Sequence, residues 1–173
     1  MIRLIPVSIA DESRLKEYVL SYEANGAVLE GNTAMIPHMP FDVWFETLGN
    51  SNVERTHMIL KDDVMVGSLD FRLNSAKHTR MTLGDIGYSV HPDHRGKGYA
   101  SKALGLAITI YPLNEIIITC YESNSASVKV IERNGGILRN TFLFDKVISN
   151  RFIIYKSHSP LNDLDIFKTF QYY

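Results

Sequence analysis

Apolar residues recur along this chain in two rhythms, one of about two residues and one of about three and a half. The first marks short runs rich in β-branched and aromatic residues: Ile2 to Val7, Met58 to Leu60, Val64 to Leu73, Met81 to Val90, Ile116 to Thr119, Ile137 to Phe144 and Val147 to Tyr155. These predict strands. The second rhythm places Leu15, Tyr18, Val19 and Tyr22 on one helical face, with Ser8 or Asp11 able to cap its start and Gly26 its end. It returns after Gly98, up to Pro112, and again over Asn124 to Arg133, where Asn134-Gly135-Gly136 supplies a C-cap signal. A short helix is predicted over Phe41 to Leu48, with Trp44 and Phe45 as its apolar contribution. Lys61-Asp62-Asp63 reads as a hairpin turn, and His91-Pro92 ends the fourth run. The stretch Ala27 to Pro40 has loop composition and is long enough to be a binding segment or lid. Strand, helices, three strands, helix, strand, helix and two strands make an α/β or α+β domain with a mostly antiparallel sheet.

Composition narrows the picture. A chain of 173 residues has room for one core. Its 18 basic and 19 acidic side chains give a net charge of −1, which excludes a protein that coats nucleic acid. Any anionic ligand must be held locally. The single cysteine, Cys120, cannot form an internal disulfide, so the expected location is the cytoplasm. No run approaches the ~20 apolar residues of a membrane span, and Met1 to Ala10 has no signal-peptide pattern. His91 and His94 stand three apart in a proline-containing loop without clustered ligands, so no metal is expected.

The local anion site has an evident candidate. From Asp85 to Ser101 a strand runs into a loop carrying Arg95, Gly96, Lys97 and Gly98, and the loop opens directly into a helix. Glycines let the backbone approach, free N–H groups at the helix start point outward, and the helix dipole favours an anion there. The spacing is not that of a P-loop, because Lys97 lies between two glycines, nor of a dinucleotide fingerprint, because Ser101 stands at the third glycine position.

What the spacing does match is R-x-x-G-x-A, Arg95 through Ala100. With Ile86-Gly87-Tyr88-Ser89-Val90-His91-Pro92 before it, the segment resembles the central strand and pyrophosphate loop of the GCN5-related N-acetyltransferases. Asn124-Ser125-Ala126-Ser127 and Ile131-Glu132-Arg133-Asn134-Gly135-Gly136 resemble that family's later helix. The resemblance implies a single-domain acyl-CoA N-acyltransferase fold, a mixed, mostly antiparallel sheet of about six to seven strands flanked by helices. The domain would occupy 1–156, and a tail over 157–173 would dock on it or on the second subunit of a homodimer.

The same resemblance implies transfer of an acetyl group from acetyl-CoA to a primary amine, on a small molecule or peptide, by direct attack in a ternary complex. Tyr88, Ser89 and Val90 would offer backbone groups to the pantetheine, with the Val90 N–H as oxyanion donor. Arg95, Gly96, Lys97, Gly98, Tyr99 and Ala100 would wrap the pyrophosphate, and Asn124 and Ser127 would lie near the thiol arm. A general base is needed because an alkylamine is protonated at neutral pH. Asp85 is the first candidate, at the start of the central strand; Glu122 is the second and Glu30 the third. Many family members carry a tyrosine seven residues after the helix-start asparagine as general acid; here that residue is Ile131. Ser127, Tyr121 or water could substitute, or the thiolate could leave unaided. The departure at Ile131 leaves a second reading open, a non-catalytic CoA-binding regulatory or interaction module.

Overall fold

Two-residue turns with left-handed backbone set the hairpins. Asp62 and Asp63, at φ 48° and 69°, join β2 (Glu54–Lys61) to β3 (Val64–Arg72). Asp145 and Lys146, at φ 46° and 65°, join β6 (Ile137–Phe144) to β7 (Val147–Tyr155). Turns of this hand match the twist of the strands they connect. The computed structural model describes residues 1–24, 40–48 and 54–156. The tail expected over 157–173, Glu30, Gly26 and all but the last residue of the Ala27 to Pro40 loop lie outside the described residues.

Seven strands form two antiparallel sheets among the described residues. One runs β1 (Ile2–Pro6), β2, β3, β4 (Ile86–Val90); the other runs β5 (Glu115–Tyr121), β7, β6. Side chains alternating along β2 supply two cores, as the strand period requires. Met58 and Leu60 pack with Leu15, Tyr18 and Tyr22 of α1 (Glu12–Ala24), and Phe41 and Phe45 of α2 (Phe41–Leu48) join them. Ile59 faces the other way, into a larger cluster with Leu69, Phe71, Ile86, Ile116, Ile118, Phe152 and Ile154. That cluster is closed by Ala103, Leu104 and Ala107 of α4 (Tyr99–Ile110) and Ile131 of α5 (Ser125–Arg133). It spans both sheets.

The α+β fold class, the count of seven strands and their antiparallel pairing are as the sequence implies, with the expected single mixed sheet divided into two antiparallel ones, but the expected strand Met81 to Val90 is not one element. Its first residues close α3 (Lys77–Leu83), and only Ile86–Val90 is strand. A short apolar run does not distinguish the two periods. Tertiary contacts decide it: the α3 carbonyls of Met81 and Leu83 accept from the guanidinium groups of Arg151 (2.6 and 2.8 Å) and Arg72 (2.7 Å). Gly84, at φ 76°, then turns the chain into β4. A Cβ there would stand 2.9 Å from the Ile117 carbonyl oxygen, so glycine also permits the close approach of this corner to β5.

At that corner the two sheets meet. Asp85 N–H donates to the Ile117 carbonyl (2.6 Å), and Ile117 N–H donates to Asp85 Oδ2 (2.7 Å). Beyond this clasp β4 and β5 are not paired with each other, and the wedge between them is the site.

Candidate functional site

The register of β3 and β4 determines which backbone groups the wedge exposes. Arg72 N–H donates to Asp85 O and His91 N–H donates to Val66 O, each at 2.9 Å. In an antiparallel ladder hydrogen-bonded pairs alternate with open ones. Asp85, Gly87, Ser89 and His91 therefore spend their backbone groups on β3, while Ile86, Tyr88 and Val90 turn theirs toward β5. The expectation for Tyr88 and Val90 fits this alternation; Ser89 does not, because its N–H and C=O belong to the ladder with Ser68. Its hydroxyl is buried and lies 3.2 Å from Ser68 Oγ.

The wedge widens into a cleft of about 1060 Å³, lined by Tyr88, Ser89, Val90, Arg95, Gly96, Gly98, Tyr99, Ala100, Asn124 and Ser127 among the expected residues. Arg72, His94, Cys120, Lys129, Arg133 and Phe144 line it as well and were missed from the sequence. For Lys129 and Arg133 a signal existed, since a four-residue spacing puts both on one face of a helix. For Arg72 and Phe144 none did; they arrive from β3 and β6 only through the tertiary fold.

One end of the cleft is built for an anion. Pro92–His94 forms a 3-10 turn, after which Gly96 and Gly98 both adopt φ 74°. No atom would crowd a Cβ at either, so their backbone conformation alone favours glycine. The first helical bond of α4 runs from Lys102 N–H to Gly98 O at 3.2 Å. The N–H groups of Tyr99, Ala100 and Ser101 thus lie in the unpaired first turn, on residues that line the cleft. Arg95 Nε donates to the Val90 carbonyl (3.1 Å), which holds the guanidinium at the rim. Lys97 does not line the cleft: its ammonium turns back to the Asp93 carbonyl at 3.0 Å. The loop is braced from behind by the buried His91, whose Nδ1 accepts from Asp93 N–H (3.3 Å) and whose Nε2 lies 3.0 Å from Ser21 Oγ on α1. His94 has its pKa lowered by burial and by nearby Lys97 and His91, so it is held neutral near pH 7.

The other end is neutral and polar. Tyr88 reaches across the wedge, its hydroxyl 2.9 Å from Ser127 Oγ. Burial pushes the phenol above its usual range, so it stays protonated and can donate to the serine. Asn124 caps α5 by accepting from Ser127 N–H at 3.0 Å, which fixes where the serine stands. Cys120, half-buried on β5, has its thiol pushed up by burial, an effect the Ser127 hydroxyl offsets in part.

The proposed bases fare differently. Asp85 is 1% exposed and does not line the cleft. Arg80 Nε donates to its Oδ1 at 2.8 Å and Ile117 N–H occupies Oδ2. It is a clasp between the sheets, with both carboxylate oxygens taken by the protein. Glu122 is exposed just after β5, its N–H bonded to Ile148 O (2.9 Å), with the cleft residues Tyr121 and Ser123 on either side. Ile131, in the place of the family's tyrosine, is fully buried in the core.

Residues 4–137 match the family model described as an acetyltransferase (GNAT) domain. The uncharacterized N-acetyltransferase YnaD of Bacillus subtilis (strain 168) is 34% identical over 103 residues, 56% of each chain. The chain thus spans about half the length of that curated relative. Among solved structures, the Salmonella typhimurium acetyltransferase that modifies the N-terminal serine of ribosomal protein L7/L12 superposes with a TM-score of 0.68 at 18% identity, over 90% of this chain and 95% of that one. Spermidine N-acetyltransferase from Vibrio cholerae, in complex with CoA and spermine, gives 0.68 at 17% identity, over 89% and 95%. At these identities the structures show a shared fold.

Proposed function

The chain belongs to the acetyltransferase (GNAT) family, and we propose on that premise that it transfers an acetyl group from acetyl-CoA to a primary amine by direct attack in a ternary complex. The observation that carries this reading is the turning of the Tyr88 and Val90 backbone groups into a cleft whose far end is an anion cradle. The pantetheine amides extend β4 across the wedge, pairing with Tyr88. The pyrophosphate sits on the N–H groups that open α4, beside Arg95.

The thioester then lies between Val90 and Ser127. As the amine attacks, the carbonyl oxygen gains charge, and Val90 N–H donates to it; a preorganised donor of this kind contributes roughly 3 to 4 kcal/mol. The amine proton passes through water to Glu122, which does not itself line the cleft but stands between the lining residues Tyr121 and Ser123, since Asp85 is committed to Arg80 and Ile117. Collapse of the intermediate breaks the C–S bond, and the thiolate is protonated through the Ser127 hydroxyl, which gives a proton to sulfur as it takes one from water, so that the serine ends neutral. Tyr88, held protonated, donates to Ser127 Oγ and leaves the serine proton free for sulfur.

The burial of Ile131 favours one other reading, a module that binds CoA without turning it over. Thiol release from acetyl-CoA across a panel of amines separates the two. Amine-dependent release is expected; tight CoA binding with no thiol from any amine would leave only the module.

A further inference from the structure

The cations facing the cleft do not sit where the loop motif places them. Lys97 is turned away, and the strongly basic side chains that line the cleft beside Arg95 are Arg72 from β3 and, from α5, Lys129 and Arg133, the last two exposed. Neither pairs with a carboxylate among the described residues. Like charges four apart on a helix repel. The helix dipole accounts for a cation in the last turn, Arg133, but not for Lys129 in the middle.

Their position along α5 gives the pair a use. Ser127 marks the reaction end of the helix, beside Tyr88. Six residues later, about 9 Å along the axis, Arg133 adjoins Asn134, whose Nδ2 donates to the Ser101 carbonyl and hydroxyl at 3.2 Å each. That contact fixes the end of α5 against the first turn of α4, next to the pyrophosphate cradle. Helix α5 therefore runs beside the cosubstrate from thioester to phosphates. Coenzyme A carries its three phosphates in two places, a pyrophosphate and a 3′-phosphate on its ribose. The first is served by Arg95 and the α4 N-terminus. The second is a phosphomonoester of charge about −1.5 to −2 and calls for more than one cation.

We propose that Lys129 and Arg133 form a second anion site that takes the 3′-phosphate, so that the protein distinguishes coenzyme A from dephospho-coenzyme A. The proposal rests on the acetyl-CoA reading and adds to it a selectivity that the loop motif does not supply.

Calorimetric titration of the full chain with each ligand tests it. The wild-type protein is expected to prefer CoA by about tenfold or more, with the preference shrinking as salt rises. Lys129→Ala/Arg133→Ala should bring the two affinities within about twofold, by weakening CoA alone, and Arg133→Lys should keep most of the preference. Equal binding of both ligands by the wild type overturns the proposal. So does a double variant that keeps the full preference, or one that loses both ligands equally, which would place the pair on the pyrophosphate. If the wild type binds neither ligand, the acetyl-CoA reading falls and the second site with it, an outcome distinct from equal binding.

Discussion

Asp85 illustrates how a residue type can fit a role that its surroundings refuse. A carboxylate at the start of the central strand has the chemistry of a general base, yet both of its oxygens are occupied and it is buried. Asp85→Asn is expected to cost about 2 to 3 kcal/mol in urea unfolding, because it removes the buried charge that Arg80 Nε faces and leaves that guanidinium only Glu115 to offset its own. The pH dependence of the surviving activity should keep its shape. A rate profile displaced along the pH axis would restore Asp85 to the chemistry. Ser127 is the converse, a small polar residue whose importance comes from Tyr88 opposite it. Ser127→Ala should lower kcat about 10²-fold at pH 7 with little change in acetyl-CoA affinity, and the deficit should narrow as pH rises and the thiolate needs no proton. Cys120 provides a pH test of the wedge itself. Burial raises its pKa, so less thiolate is present at pH 7 than for a free cysteine. Alkylation should be slow, climb with pH to a midpoint above the ordinary thiol range, and be blocked by bound CoA.

Among the elements, the strongest constraint lies at the corner between α3 and β4. Gly84 combines a positive φ with a Cβ position 2.9 Å from the backbone of β5. Gly84→Ala should therefore destabilise the fold by more than the roughly 1 kcal/mol of an ordinary glycine replacement, and it should widen the wedge, so that the thermal midpoint and CoA affinity fall together. Gly96 and Gly98 share the backbone constraint without the crowding. The loop motif was legible because it lies in consecutive residues: two glycines whose positive φ leads into a helix start are read from local sequence alone. Helix α3 was not legible, because Met81 to Leu83 fits either period and the Arg72 and Arg151 guanidinium groups that satisfy its carbonyls come from β3 and β7.

At the scale of the molecule, the two sheets diverge from the Asp85–Ile117 clasp, and their shared core of Ile86, Ile116, Ile118 and Phe152 holds the wedge open. The divergence leaves β6 as the outer strand of its sheet. It is eight residues long with Arg139 as its one charge, and Leu138 and Leu143 are exposed on it, the latter at 72%. Among the described residues no strand pairs with this edge, and an edge of this kind invites strand pairing between chains. Leu143→Lys should change unfolding free energy by no more than about 0.5 kcal/mol, while reducing light scattering during a thermal ramp. An unchanged scattering profile would show that the edge does not govern association.

The sequence by itself determined the period of most elements, the anion loop and the family, since these depend on contacts between residues close in the chain. It also placed Ile131 where the resemblance implies a tyrosine. Only the tertiary structure decided which backbone groups are free. The pairing of β4 with β3 spends the Ser89 amide and spares those of Tyr88 and Val90. It also set Tyr88 against Ser127, buried Asp85 against Arg80, and carried Lys129 and Arg133 to the cleft while Lys97 turned away. The β3–β4 register, the Tyr88–Ser127 contact and the arrival of Lys129 and Arg133 each join residues distant in sequence, which no local pattern encodes; Asp85 with Arg80 and Lys97 with Asp93 are close in the chain, and there the fold decided only which of several reachable partners each side chain met.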